Sequence, residues 1–157
     1  MANEKIKKNK LSDSLKAPGS WQDIFLAISV HLTGFTEFEL HTTGMADTYY
    51  ETLNGESDQD NLVKFICKVR DVLHDFEADE IGLTKQIETE LIKNAPFTDL
   101  ARRIILLWYT GIWTTKGVPA MVSTSSYIEG LIWKAAETHP AGALQQGYGS
   151  WAELPLR

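Results

Sequence analysis

Cysteine is almost missing from this chain. Cys67 stands alone among 157 residues, so no internal disulfide can form and no cysteine-based metal or redox motif is present. Histidine is scarce as well, and His31, His41, His74 and His139 do not pair at zinc-ligand spacing. Positive charge is outnumbered. Fifteen Lys+Arg against 21 Asp+Glu give a formal net charge of −6, which argues against a general nucleic-acid binder, because such proteins use clustered cations to displace counterions. Long hydrophobic runs are lacking too, and none approaches the roughly 20 apolar residues that span a bilayer. The first stretch, "MANEKIKKNKLSDSLKAPGS", has neither an apolar core nor an Arg-Arg pair and does not read as a signal peptide as it stands. There is no repeat at solenoid periods, no Gly-x-Ser-x-Gly elbow, no P-loop, no Gly-x-Gly-x-x-Gly after a strand and no Cys-x-x-Cys-His for haem.

What is present is aromatic and apolar surface. Five tryptophans, five tyrosines and six phenylalanines are many for this length, and the 43% apolar content suits one domain with a sizeable core. The pattern predicts an all-α fold: a single small helical domain of five or six helices over residues 20–140. It is preceded by a flexible basic arm at 1–19, closed by Pro18-Gly19, and followed by an extended docking tail at 141–157.

Capping signals place the helices. Ser20 with Asp23 resembles a capping box, and Trp21, Ile24, Phe25, Ile28 and Leu32 follow at helical spacing until Gly34. Thr36 with Glu39 opens a second helix through "FELHTTGMADTYYETL", with Phe38, Met45, Tyr49 and Leu53 near one face and Gly44 inside it, where close packing or a kink is expected. "NGESDQD" at 54–60 reads as a turn. Leu62, Phe65, Ile66, Val69, Val72, Leu73 and Phe76 then form the cleanest stripe in the chain. A weaker helix is expected around 84–93, and "NAPF" breaks the chain before Thr98.

Residues 98–113 form the next expected helix. Leu100, Ile104, Leu107, Trp108, Gly111 and Ile112 lie on one stripe, while Ile105, Leu106, Tyr109 and Trp113 add a second apolar face. Such a helix either runs through the middle of a bundle or turns one face to another subunit. "TTKGVPAMVST" at 114–124 reads as a loop. Ser126 with Glu129 would cap a last helix with Ile128, Leu131, Ile132 and Ala135 inward. The tail "AGALQQGYGSWAELPLR" is glycine-rich yet carries Tyr148 and Trp151, which must dock on this domain or on a partner.

Candidate chemistry is thin. Asp71 and His74 sit three apart, as in half of a di-iron bundle site, but the second half is missing. Cys67 lies beside the apolar stripe of its helix and reads as a structural thiol. "GYGS" neither follows a strand nor opens a helix. The sequence offers no metal or cofactor cradle of its own.

Three stretches resemble the small (gamma) subunit of bacterial FAD-dependent sugar and polyol dehydrogenases, the sorbitol, fructose and glucose dehydrogenase group. "FLAISVHLTGFTEFELHTTGMADTYYETL" is similar to that family's opening helix, Leu-Thr-Gly turn and following helix. "ARRIILLWYTGIW" is similar to its helix ending in Trp-Tyr-x-Gly. "YIEGLIWKAAETHPAGALQQGYGSWAELP" is similar to its closing helix and extended tail. The order and spacing of the three, over roughly 24–53 and 99–155, carry the resemblance. It implies a non-catalytic subunit that binds, stabilises and helps mature a large FAD-containing subunit, which oxidises the sugar. That subunit passes electrons through an iron–sulfur cluster to a multi-haem cytochrome c. This chain would hold no cofactor itself. The resemblance assigns partner binding to Trp108, Tyr109 and Gly111, and to Gly149, Trp151 and Pro155 in the tail; Trp113 and Tyr148 join them as aromatic candidates for the same contact. It implies a periplasmic or inner-membrane-associated complex. Residues 1–19 lack the twin-arginine pair typical of that family, so a cytoplasmic complex stays open. Two rival readings stand beside it: an independent helical adaptor using the same aromatic surface, and a small enzyme using Asp71, His74 and Glu77.

Overall fold

The computed structural model describes residues 20–76 and 79–143. The arm at 1–19, Glu77 and the tail from 144 onward, including Tyr148, Gly149, Trp151 and Pro155, lie outside the described residues.

The expected all-α class holds, with one small hairpin added. Helix α1 (Trp21–Thr33) starts at Ser20, whose capping box with Asp23 is formed, and stops at Gly34 in the left-handed conformation. Helix α2 (Glu37–Thr42) starts at Thr36, whose box with Glu39 is also formed. It does not continue to Leu53. Gly44 adopts a φ of +67°, which ends the helix, and a Cβ there would meet nothing within 4 Å, so conformation rather than packing demands glycine. Helix α3 (Ala46–Glu56) follows and buries Tyr49 and Leu53. It takes the first three residues of the expected 54–60 turn, and with Gln59 and Asp60 already in the next helix the turn shrinks to Ser57 and Asp58.

Asp58 caps α4 (Gln59–Asp75) by accepting from the Asn61 N–H. Of its expected stripe Leu62, Phe65, Ile66, Val69 and Val72 are buried, while Leu73 and Phe76 are half-buried against the core. Each buried one contributes about 1.5–3 kcal/mol on leaving water. Helix α5 (Glu80–Ile87) runs on into a single π turn (Glu88–Ile92), closed by the Lys93 N–H on the Glu88 carbonyl at 2.9 Å. The expected weak helix at 84–93 therefore begins earlier and widens at its end. Helix α6 (Ala95–Thr110) takes Pro96 into its first turn, where a missing N–H costs nothing. "NAPF" is thus a helix start.

Helix α6 is the axis of the fold. It packs against α1, α3, α4 and the elements that follow it. Phe97, Leu100, Ala101, Ile104, Leu107 and Trp108 form its buried face. It ends three residues before Trp113, because Gly111 terminates it in the left-handed conformation. Ile112 and Trp113 then belong to a strand.

The expected loop at 114–124 is a hairpin. Strand β1 (Ile112–Thr115) pairs antiparallel with β2 (Val118–Met121), in the register Ile112 opposite Met121 and Thr115 opposite Val118. The two-residue connection, Lys116-Gly117, has positive φ at both positions, +50° and +81°. This is the turn whose twist suits a tight hairpin.

The last helical segment is two short pieces, α7 (Thr124–Ile128) and α8 (Leu131–Ala135). Its cap is Ser123 paired with Ser126, not Ser126 with Glu129. Leu131 is buried as expected, but Ile132 is 40% exposed and Ala135 also faces out, since Gly130 breaks the helix and resets its face.

Candidate functional site

The two sequence stretches with the most distinctive turns meet in space. Thr33, Gly34 and Phe35 close α1, and Trp108, Tyr109 and Gly111 close α6. Tyr109 donates its hydroxyl to the Thr33 carbonyl at 3.0 Å, and its ring stands edge-on to Phe35 with centroids 6.1 Å apart. Thr33 is itself fixed, its hydroxyl donating to the Ser29 carbonyl at 2.7 Å. The α1 end and the α6 end are therefore one joint, held by a hydrogen bond of about 1 kcal/mol net and by aromatic contact.

Trp108 fills the middle of this joint. Its side chain is wholly buried, stacked on Phe25 at 6.2 Å and edge-on to Tyr49 at 4.9 Å. The Tyr49 hydroxyl donates to the Ser126 carbonyl at 3.5 Å, and burial, with the Glu129 charge as the lesser cause, pushes its pKa above the ordinary tyrosine value. Trp108 Nε1 has no hydrogen-bond partner among the described residues.

Gly111 joins helix to hairpin. Its φ is +69°, and a Cβ placed on it would stand 2.4 Å from the Ser126 carbonyl oxygen. The Ser126 hydroxyl donates back to the Gly111 carbonyl at 3.1 Å, and the Val122 N–H reaches the same carbonyl at 2.9 Å. Gly130 is crowded in the same way, with a Cβ lying 2.8 Å from the Tyr109 carbonyl. Helices α6, α7 and α8 thus touch backbone to backbone, which only glycine permits at those two points.

Charge closes the outer side. Lys134 on α8 bonds Glu39 on α2 at 2.6 Å and lies 5.6 Å above the Phe35 ring. The Lys134 bond, followed by the Thr36 backbone and hydroxyl groups, holds the Glu39 carboxyl down at about 2.

Of the sequence-chosen residues, Trp108, Tyr109, Gly111 and Trp113 come together, but the chain's own core claims most of their surface. Trp108, Gly111 and Trp113 are buried and Tyr109 is half-buried. Trp113 sits under the Arg103 guanidinium, 5.4 Å from its ring. Outside the joint some apolar groups stay open, among them Leu106, Phe38 and Ile132, which sequence spacing places on helix faces. Leu106 on α6 is 54% exposed, Phe38 on α2 is 76% exposed, and Val118, Met121 and Ile132 are open as well. Sequence reasoning missed the hairpin, although "TTKGV" carries a partial signal, a glycine in a two-residue gap between β-branched residues. Ser126 has a local partner in Ser123, but nothing local marked its approach to Gly111 or the pairing of Lys134 with Glu39.

The described acid/base candidates each have a neighbour on their own helix. Asp71 pairs with Arg70 at 3.1 Å, and His74 approaches Asp75 at 3.5 Å. All four groups are substantially exposed, and Glu77 lies outside the described residues. Among the described residues no group of three His, Cys, Asp or Glu side chains is placed to hold a metal, and no helix is long and apolar enough to cross a membrane. Cys67 is half-buried on α4.

A cleft of about 510 Å³ opens between α3 and the hairpin, away from the joint. Glu51, Gly55 and Glu56 form one wall, and Trp113, Ala120 and Met121 are on the other. No family model, curated protein or solved structure matches the chain.

Proposed function

We propose that this chain is a non-catalytic small subunit that docks on, stabilises and helps mature the FAD-containing catalytic subunit of a sugar or polyol dehydrogenase complex. The single observation that supports the reading most is the contact between the Leu32-Thr33-Gly34 turn and the Trp108-Tyr109-x-Gly111 helix end. These are two of the three stretches that resemble that family. Elements distant in sequence but similar to one family's motifs form one structural unit. The joint is built for rigidity, since its polar groups are engaged with backbone rather than poised for proton transfer.

On this reading the buried aromatics hold a platform. The exposed apolar side chains at Leu106, Phe38, Val118, Met121 and Ile132 and the tail with Tyr148, Gly149, Trp151 and Pro155 meet the partner. FAD, an iron–sulfur cluster and the link to a multi-haem cytochrome c belong to the partner side.

The test is co-purification from the native host with this chain tagged. A large flavoprotein with sugar or polyol dehydrogenase activity is expected in equal amount, recognised by its flavin absorbance. A Trp151→Ala chain should lose it while keeping its own helical spectrum. A tagged chain that elutes alone and colourless overturns the proposal and favours the independent adaptor.

A further inference from the structure

The cleft between α3 and the hairpin joins two unlike walls, and its volume of about 510 Å³ is in the range of small-molecule sites. On α3, Glu51 and Gly55 stand one turn apart and Glu56 follows. On the hairpin, Trp113 is opposite Ala120, and both line the cleft together with Val122. The two carboxylates are not equivalent. Glu56 accepts the Thr115 hydroxyl at 2.9 Å, which ties helix to strand. Glu51 is exposed and has no partner among the described residues.

Two further features point to a ligand. Trp113 is 3% exposed, and its Nε1 has no acceptor among the described residues. A buried donor without an acceptor is costly, and native folds almost always supply one. Gly55 is the second feature. Its backbone is ordinary helix and an added Cβ would meet nothing within 4 Å, so nothing in the described fold calls for glycine there. A helical glycine weakens a helix relative to alanine. What it gives in return is room, since no side chain stands between Glu51 and the hairpin at that point.

We propose that this cleft binds a small organic cation, a primary amine on an apolar, ring-sized body with an oxygen acceptor at its far end. The ammonium group pairs with Glu51. The body lies over Gly55 against Ala120 and Val122, and the oxygen accepts from Trp113 Nε1 after a small turn of the indole. Anions are repelled by both carboxylates and by the net charge of −6. The inference concerns this chain alone, so its failure leaves the subunit reading untouched.

The test is titration of the full isotope-labelled chain with tyramine at low salt, read by magnetic resonance. The amides of Thr52, Gly55, Ala120 and Val122 should shift in a saturable way, and the Trp113 indole N–H should move downfield as it gains an acceptor. 4-Ethylphenol carries the same ring and hydroxyl without the amine. It should bind about threefold more weakly, the worth of an exposed ion pair. Glu51→Gln, at an exposed position outside the core, should weaken tyramine by the same factor and leave 4-ethylphenol unchanged. Gly55→Leu, which fills open space at a helical position, should abolish binding of both probes while the chain keeps its helical spectrum. Absence of a saturable shift, an unmoved Trp113 indole or equal affinity for the two probes overturns the inference. Full tyramine affinity in Glu51→Gln or in Gly55→Leu does so too, because the amine then sits elsewhere.

Discussion

Gly34 and Gly111 end their helices in nearly the same way. Each is left-handed, at φ +77° and +69°, and each donates its N–H to the carbonyl four residues back, at 2.9 and 2.8 Å. Their surroundings differ completely. Around Gly34 a Cβ would meet nothing within 4 Å; around Gly111 it would strike the Ser126 backbone at 2.4 Å. One glycine is required by a backbone angle, the other by an angle and a close approach together. Identical local geometry therefore does not imply equal tolerance, and sequence alone ranks the two alike.

Substitutions separate the two cases. The largest effect is expected from Trp108→Ala, which empties the space between Phe25 and Tyr49 beside Gly111. It should cost about 3–5 kcal/mol in urea unfolding, as for other buried aromatics. A cost near that of an exposed residue would mean that the joint relaxes and that the crowding at Gly111 is not rigid. Gly111→Ala should cost about 2–5 kcal/mol, backbone strain and overpacking combined. Gly34→Ala should cost about 1–2 kcal/mol from strain alone. Asparagine sharpens the contrast, since it tolerates the left-handed region. It should recover most of the loss at position 34 and little at 111, and equal recovery at both would break the comparison. Tyr109→Phe removes the hydroxyl that ties the two helix ends together, and a loss of about 0.5–1.5 kcal/mol is expected. The smallest effect is at Glu39. Its carboxyl is held at about 2 in the fold against 4.5 otherwise, mainly by Lys134. A lowered folded-state value stabilises above the unfolded value and loses that stabilisation as pH falls through the folded one. The gap between wild type and Glu39→Gln in thermal melts should thus be constant above pH 4.5 and close as the pH falls toward 2.

Much of the fold was legible because its causes are local. The boxes at Ser20 and Thr36 and the stripe of α4 depend on residues three or four apart, and all formed. The α6 core stripe from Leu100 to Trp108 was legible for the same reason. What failed depended on backbone angles or distant partners. The break at Gly44, the end of α6 at Gly111 and the hairpin turn at Lys116-Gly117 all rest on positive φ. Ser126 read as a helix start because Glu129 follows three residues on. In the fold it is the third residue of a box begun by Ser123, and its hydroxyl lies between the Ser123 carbonyl at 2.7 Å and the Gly111 carbonyl, fifteen residues away, at 3.1 Å. Trp108 and Trp113 read equally well as core or as contact surface, because aromatic content cannot say which side of a helix the rest of the chain covers.

Pro119 limits how molecules of this protein can associate. With Thr115 and Val118 closing a two-residue turn and Val122 bonded to Gly111, the even-numbered residues of β2 face β1. Pro119 and Met121 face outward, and a proline has no N–H to give. The outer edge of the sheet thus lacks half of its donors. A strand laid against β2 would find a broken ladder, so that edge is a poor template for growth by strand addition.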